Sequence, residues 1–376
     1  MESRRHPTVA VVSGFALVGA LAAAVLGLLT FGVQATVHPR DLPLAVGTVD
    51  ASTSSALAPV VERVRGQGGG QVAWTAVGSR AEAERLLDGK AVYGAVLFEP
   101  AATGLRALVL TSGAINPSAA QVAQPILTAA AEAVTSASRA EAAARSGTPA
   151  GSGTADTRPA VESITLHPAT PAGRTLPLAA SALLWLATLA TGALVLVAGP
   201  RVLGRPAGRG PRLAAALGSA ALGTAVVLGL ARLWDGTLRL DWSVAGFLLL
   251  VATAFGLLQA GVLRWLGLRG MALLAPLYLM APSVAGQVPE LLDPAYKALL
   301  WSWTPFRFSA EALRSLLYLD AGAADVRTAL RVFAGISIAG LLLLAIPRRF
   351  TSEGRHRRPA PRRGAEPTPA PEAVTA

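Results

Sequence analysis

The stretch PELLDPAYKALLWSWTPFRFSAEALRSLLYLD, residues 289–320, is a charged and aromatic segment with strongly apolar runs on both sides. Its seven Asp, Glu, Lys and Arg side chains would be costly inside a bilayer. Its many Leu, Phe, Tyr and Trp side chains favour contact with an apolar phase, and Trp and Tyr concentrate at the headgroup level of membranes. We therefore predict an element at the membrane interface, with Trp301 and Trp303 as interface anchors.

The composition of the whole chain is that of a membrane protein. Among 376 residues, 52% are hydrophobic and only 15% are charged, and the mean hydropathy is +0.50. The absence of Cys excludes disulfides, thiolate catalysis and zinc-thiolate sites. The four His residues are scattered without a second ligand at helical spacing, so we predict no metal site and no cofactor in this chain.

The apolar runs predict six transmembrane helices, because a bilayer core takes roughly 20 apolar residues as helix. For the first of them a cleaved signal peptide is the alternative, since Val33, Gln34 and Ala35 resemble a small-x-small cleavage site. Secretory apolar cores are usually about 7–15 residues long, so we favour an uncleaved anchor. The predicted spans are 8–33, 176–198, 213–231, 243–263, 271–288 and 329–346.

Residues 34–145 predict a small α/β domain inserted between the first two spans, because short apolar runs there alternate with helical patterns. Ser79 and Glu82 have the spacing of a capping box at the start of one of its helices. Residues 146–175 are rich in Gly, Ser, Thr and Pro and predict a linker. The predicted strands are 44–49, 72–77, 91–98 and 105–110, and the remaining predicted segments are a cytoplasmic N-terminus at 1–7, an outer amphipathic segment at 289–328 and a disordered basic tail at 347–376.

The basic residues behind the net charge of +11 are almost all Arg, and one orientation makes the Arg-rich stretches 201–212, 264–269 and 348–363 all cytoplasmic. Both termini are then cytoplasmic, and the α/β domain and residues 289–328 lie outside the cytoplasm. Since topology accounts for the basic charge, we predict contact with the lipid bilayer and no nucleic-acid partner. The first cytoplasmic loop, 199–212, carries Arg201, Arg205, Arg209 and Arg212.

The sequence offers no catalytic constellation. It has no G-x-x-x-x-G-K-[ST] phosphate loop, no G-x-S-x-G elbow and no H-E-x-x-H helix. The centres of the predicted spans contain no ionisable residue, which weighs against a proton-coupled pump. Gln259 is the most polar deep side chain, and we predict that it bonds between helices rather than to a substrate. We therefore expect that this chain is not an enzyme.

Three regions resemble the permease subunits of type-2 ATP-binding-cassette exporters, closest to the bacterial branch similar to the phage-infection-protein family. The first region is AVYGAVLFEP at 91–100 followed by LRALVLTSGAINPSAAQV at 105–122. The second is LPLAASALLWLATL at 176–189, and the third is TPFRFSAEALRSLLYLD at 304–320. The order of one span, a large outer domain and five further spans is also similar.

The resemblance implies a passive permease in a bacterial plasma membrane that pairs with itself or a sister subunit. A separate cytoplasmic ATPase would supply ATP hydrolysis, and the substrate would be amphipathic or lipid-like. The resemblance implies that loop 199–212 meets the ATPase, although the loop is short and lacks a clear coupling helix; the alternative is that its arginines only fix topology.

The helix predicted from Ser309 is the candidate outer gate, with Arg307, Glu311 and Arg314 as its charged residues. A second function stays open from a different class of protein. In that alternative the chain is a non-transporting envelope protein whose outer domain binds a ligand, a phage or a cell-wall component.

Overall fold

The computed structural model describes residues 17–347 except 18, 22, 103 and 147–158. The predicted segment 1–7, the first half of the span predicted at 8–33 and all but the first residue of the tail predicted at 347–376 therefore lie outside the described residues. The described chain forms an α/β unit and a bundle of apolar helices. Its strands are β1 Leu42–Thr48, β2 Val72–Val77, β3 Ala95–Ala101, β4 Gly104–Ser112 and β5 Val161–Leu166.

The helices alternate with these strands in the first half of the chain and then follow one another. They are α1 Gly19–Ala35, α2 Ser54–Arg65, α3 Arg80–Asp88, α4 Pro117–Ser146, α5 Pro171–Val197, α6 Gly199–Leu203, α7 Arg209–Trp234, α8 Trp242–Leu266, α9 Arg269–Met280, α10 Pro294–Tyr296, α11 Pro305–Tyr318 and α12 Ala324–Ala345. Three π-helical segments are Leu28–Gly32, Ala281–Ala285 and Lys297–Trp301.

The sheet has the strand order β2-β1-β3-β4-β5. Strand β1 is parallel to both β2 and β3, β4 runs antiparallel to β3, and β5 is parallel to β4. The predicted cap of α3 is present in a shifted form. Ser79 Oγ accepts from Glu82 N at 3.3 Å, and the Glu82 carboxylate accepts from Gly78 N at 2.8 Å rather than from Ser79.

The range predicted as a linker, 146–175, contains regular secondary structure among its described residues. It contains β5, which completes the sheet, and the first residues of α5. Ile164 and Leu166 alternate with exposed residues and pack against the sheet core. An edge strand with one apolar face needs few large apolar side chains. The Gly, Ser and Pro residues around β5 therefore outweighed its weak apolar pattern in the sequence.

Four helices are long and apolar enough to cross a membrane, and they make this a membrane protein. They are α5, α7, α8 and α12, each with a mean hydropathy of 2.0 over its most apolar 18 residues. They correspond to the spans predicted at 176–198, 213–231, 243–263 and 329–346. The structure describes the span predicted at 8–33 from residue 17 onward, except residues 18 and 22. This part of the chain forms the shorter apolar helix α1.

The span predicted at 271–288 is not one continuous helix. It consists of α9 and the π-helical segment Ala281–Ala285, after which the chain leaves the helix. Pro276 and Pro282 each lack the backbone N–H that an α-helix needs, and they interrupt the regular hydrogen bonding of this segment. Within the described residues, four of the six predicted spans are therefore found as helices long enough to cross a membrane.

Helix α8 is the centre of the bundle. Two thirds of its most apolar 18 residues are buried, against a third or less for the other three long helices. Its Phe255 meets the ring of Trp185 in α5 at 4.9 Å between centroids and the ring of Phe333 in α12 at 5.6 Å. Gln259 is fully buried and donates to Trp185 O at 3.1 Å, which confirms the prediction of an interhelical bond.

The two ends of the bundle differ. At one end, Trp265 at the end of α8 donates to Leu343 O of α12 at 2.8 Å, beside the connections that carry Arg201, Arg205 and Arg269. We call this the arginine end. The other end meets the α/β unit, and we call it the sheet end.

Gly340 of α12 packs closely against the backbone of α8, since an added Cβ would lie 2.6 Å from Leu257 C and from Leu258 N. Gly340→Ala is therefore expected to lower the thermal unfolding temperature, with an overpacking cost of about 1–3 kcal/mol. Gly335→Ala on the same helix is the control, because nothing lies within 4 Å of its added Cβ. Equal unfolding temperatures of the two variants in detergent would contradict close packing at Gly340.

Candidate functional site: the cleft between the α/β unit and the bundle

A cleft of about 770 Å³ lies where the α/β unit meets the sheet end of the bundle. Its walls come from the turn after α3, the β5–α5 connection, the α7–α8 connection, the end of α11 and the start of α12. Clefts of 300–1,000 Å³ at the junction of two structural units are the usual place for ligand sites.

Lys90 makes a set of charged contacts across this junction. It follows α3 in the left-handed region, with φ of 55°, so its side chain leaves the sheet unit toward the bundle. Its Nζ donates to Asp325 Oδ2 at 2.5 Å and to Ser315 Oγ at 2.7 Å, and Ser315 Oγ donates to the same carboxylate oxygen at 2.9 Å. These three residues, which we call the lysine knot, join the α/β unit to both α11 and α12.

Two further charges of α11 surround the lysine knot. Arg314 is only 5% exposed, and burial lowers the pKa of its guanidinium while Glu311 opposes that shift. Burial raises the pKa of Glu311, and Lys90 and Arg314 oppose that shift. Burial likewise lowers the pKa of Lys90, against the attraction of Asp325. Two cations and two carboxylates thus balance in a region where an unpaired charge would be strongly unfavourable.

The predicted outer gate is therefore only partly brought together. Glu311 and Arg314 lie at the lysine knot, but Arg307 lies one turn earlier with its guanidinium 3.8 Å from the ring centroids of both Trp301 and Phe308. The sequence reasoning missed Lys90, Ser315 and Asp325. A signal was available, because Lys90 is one of two lysines in a chain whose other basic residues are arginines.

The two predicted interface anchors have different environments. Trp303 is 51% exposed and its indole donates to Leu299 O at 2.5 Å, so its ring is free to meet headgroups. Trp301 is half-buried, donates to Gln287 O at 3.1 Å and carries the Arg307 guanidinium on its face. Trp301 therefore packs within the protein, and the exposure expected of an anchor is found at Trp303.

The arginines of the predicted coupling loop lie at the arginine end, opposite the cleft. Arg201 belongs to the five-residue helix α6, Arg205 to the exposed turn after it, and Arg209 and Arg212 to the first turn of α7. Gly204 closes α6 with φ of 68°, and Arg212 Nε donates to Ala207 O at 3.1 Å. A short helix is thus present in a loop where the sequence showed no clear coupling helix.

A second contact fastens the α/β unit to the segment before α10. Val288 and Leu291 are buried in the core of the sheet unit. Tyr93 donates to Glu290 at 2.8 Å, and burial together with that carboxylate raises the pKa of Tyr93, so its hydroxyl stays protonated. Arg40 donates to Leu292 O at 2.7 Å. The core of the sheet unit therefore includes residues that follow four of the bundle helices in the chain.

The other walls of the cleft carry carboxylates. Asp235 accepts from Thr170 Oγ1 at 2.5 Å and from the hydroxyl and amide of Thr237 at 2.6 and 2.9 Å. These hydrogen bonds lower the pKa of Asp235, because they stabilise its charged form. Asp88 meets His167 Nε2 at 3.0 Å. Within the described residues, no group of three or more His, Asp and Glu side chains could hold a metal ion.

Comparison of the chain with protein-family models, with curated proteins and with solved structures gives no match. What the chain does is therefore inferred from its fold, its cleft and the distribution of its charges.

Lys90→Met is expected to lower the free energy of unfolding by about 1–3 kcal/mol, because it leaves Asp325 without its cation in a partly buried site. Lys297→Met is the matched control, since the other lysine is exposed and its side chain has no ion pair among the described residues. Thermal unfolding of the full chain in detergent measures both. A Lys90→Met variant as stable as the control would show that the lysine knot does not hold the junction.

Proposed function

We propose that this chain is the membrane permease subunit of an ATP-binding-cassette exporter, driven by a separate ATPase. The observation that carries the proposal is the double attachment of α11. Its first turn places Phe306 against Trp185 at 5.3 Å in the bundle, and its last turns hold Lys90 of the α/β unit through Ser315. A movement of the bundle helices is thereby passed to the outer unit, and the reverse also holds.

The proposed orientation puts the arginine end in the cytoplasm of a bacterial cell and the sheet end outside the plasma membrane. Support comes from Arg201, Arg205, Arg209 and Arg269, which all lie at the arginine end. Trp234 and Trp242 are exposed at the sheet end, where an aromatic belt would meet headgroups. Both termini are cytoplasmic in this orientation.

The proposed energy source acts at the arginine end. Helix α6 and the exposed turn after it present Arg201 and Arg205 to the cytoplasm, where a nucleotide-binding subunit would dock. Two copies of the chain, or this chain with a sister permease, would enclose the path for an amphipathic or lipid-like substrate. The apolar bundle with no charge at its centre suits such a substrate better than an ion.

The second candidate is an envelope protein whose outer unit binds a ligand without transport, and the cleft favours it. That candidate predicts an outer fragment, residues 34–175, that folds alone. Burial of Val288 and Leu291 in the core of the sheet unit weighs against independent folding of this fragment. The exporter proposal therefore stands first.

Purification in a gentle detergent is expected to recover a nucleotide-binding subunit with the full chain. The double variant Arg201→Ala with Arg205→Ala should recover several-fold less of it, because both guanidinium groups would lie in the contact. Arg327→Ala is the control, as it removes an exposed arginine near the sheet end. If no such subunit is recovered with the unaltered chain, the exporter proposal is contradicted. If all variants recover the same amount, Arg201 and Arg205 do not bind the subunit and only help to set the membrane topology.

Labelling of single cysteines tests the orientation, and the chain is suited to it because it contains no Cys. Ser136→Cys, exposed on α4, should react with a membrane-impermeant maleimide in intact cells. Arg205→Cys, exposed in the turn after α6, should react only after permeabilisation. The opposite pattern would invert the proposed orientation.

A further inference from the structure

The cleft at the sheet end is negatively charged. Its charged lining consists of four carboxylates against one Lys and one Arg, with one His. Asp325 is paired with Lys90 and Asp88 with His167. The remaining two, Asp235 and Asp320, accept hydrogen bonds from neutral groups and have no cationic partner among the described residues. The one cation left over, Arg239, is exposed and forms no ion pair within the described part of the chain.

Asp235 is the unusual member of this set. It is only 8% exposed, and a buried carboxylate is ordinarily paired with a cation. Its three hydrogen bonds come from Thr170 and Thr237, which leave the negative charge itself uncompensated. A carboxylate has about four acceptor positions, so Asp235 retains capacity for one further donor.

The wall also carries apolar side chains, which contribute about as much of its surface as the polar groups do. Leu238 and Leu317 line the cleft beside Asp235, and Pro168 and Ala324 line it from the other elements. A concave site in which apolar side chains and convergent polar groups face the same space can hold a small organic molecule. The volume of about 770 Å³ lies within the range for such sites.

From these observations we infer that the cleft binds a small organic amine, whose ammonium group pairs with Asp235 and whose apolar part lies against Leu238 and Leu317. The ammonium supplies the cation that Asp235 lacks and donates to its remaining acceptor position. An anion of the same shape would meet uncompensated negative charge and is excluded. This ligand class does not depend on the ATPase, so the inference goes beyond the proposed export function.

The test measures binding of phenylbutylamine to the full chain in phosphatidylcholine nanodiscs, with empty nanodiscs as the baseline. Phenylbutyrate and phenylbutanol are the matched anionic and neutral probes of similar shape. Isothermal titration calorimetry should show the highest affinity for the amine, a lower affinity for the alcohol and no binding of the carboxylate. Asp235→Asn, which keeps the shape but removes the charge, should weaken amine binding by about ten- to hundredfold.

Two further variants keep the test decisive. Glu132→Gln removes an exposed carboxylate of α4 away from the cleft and should leave amine binding unchanged. Ala324→Trp fills the cleft from the start of α12 without touching a charge, and it should abolish binding even if Asp235→Asn fails to fold. Equal affinity for the three probes, no amine binding at millimolar concentration, or full binding by either cleft variant would overturn the inference. None of these outcomes bears on recovery of an ATPase, so the two proposals fail separately.

Discussion

The contact of Lys90 with Asp325 and Ser315 is the constraint on which the arrangement of the two units depends. An ammonium group can leave water only where a carboxylate and further acceptors replace its hydration, and this group finds both at 2.5 and 2.7 Å. The residues that supply them lie on α11 and α12 and are over two hundred positions away in the chain. The knot therefore fixes the α/β unit against the bundle and also forms one wall of the cleft.

Helix α11 has two roles because its two halves face different surroundings. Phe306 belongs to the aromatic cluster around Trp185 and Phe255, where an edge-on contact with Trp185 and a tilted contact with Phe255 hold the start of α11 in the bundle. Later turns carry Ser315, which belongs to the lysine knot, and Arg314, which lies beside it. The segment is thus neither a lid lying on the surface nor a span. Its amphipathic character reflects one apolar partner and one charged partner within the protein.

The sequence predicted a strand or helix correctly where the apolar pattern of that single element is enough to define it. Strand β2 was predicted at 72–77 as it is found, and four long spans follow directly from the lengths of their apolar runs. Strand β5 was missed because a single-faced edge strand has little apolar content of its own. Pro276 and Pro282 predict a kink in the span 271–288, because each lacks a backbone donor, and the regular helix of this segment is indeed interrupted. The candidate gate was predicted from the spacing of three charged residues in one segment. Arg307 does not join the other two, because its guanidinium lies over the rings of Trp301 and Phe308.

The sequence by itself determined that this is a membrane protein, roughly which runs cross the apolar phase, and that a few short connections are rich in arginine. These properties depend on composition and on neighbouring residues, which a one-dimensional pattern records. Only the tertiary structure decided which charges meet, that the core of the sheet unit takes Val288 and Leu291 from beyond four bundle helices, and that Asp235 is buried without a cation. Such pairings bring together groups from distant parts of the chain, and their energies arise from burial and distance, neither of which exists before the chain is folded.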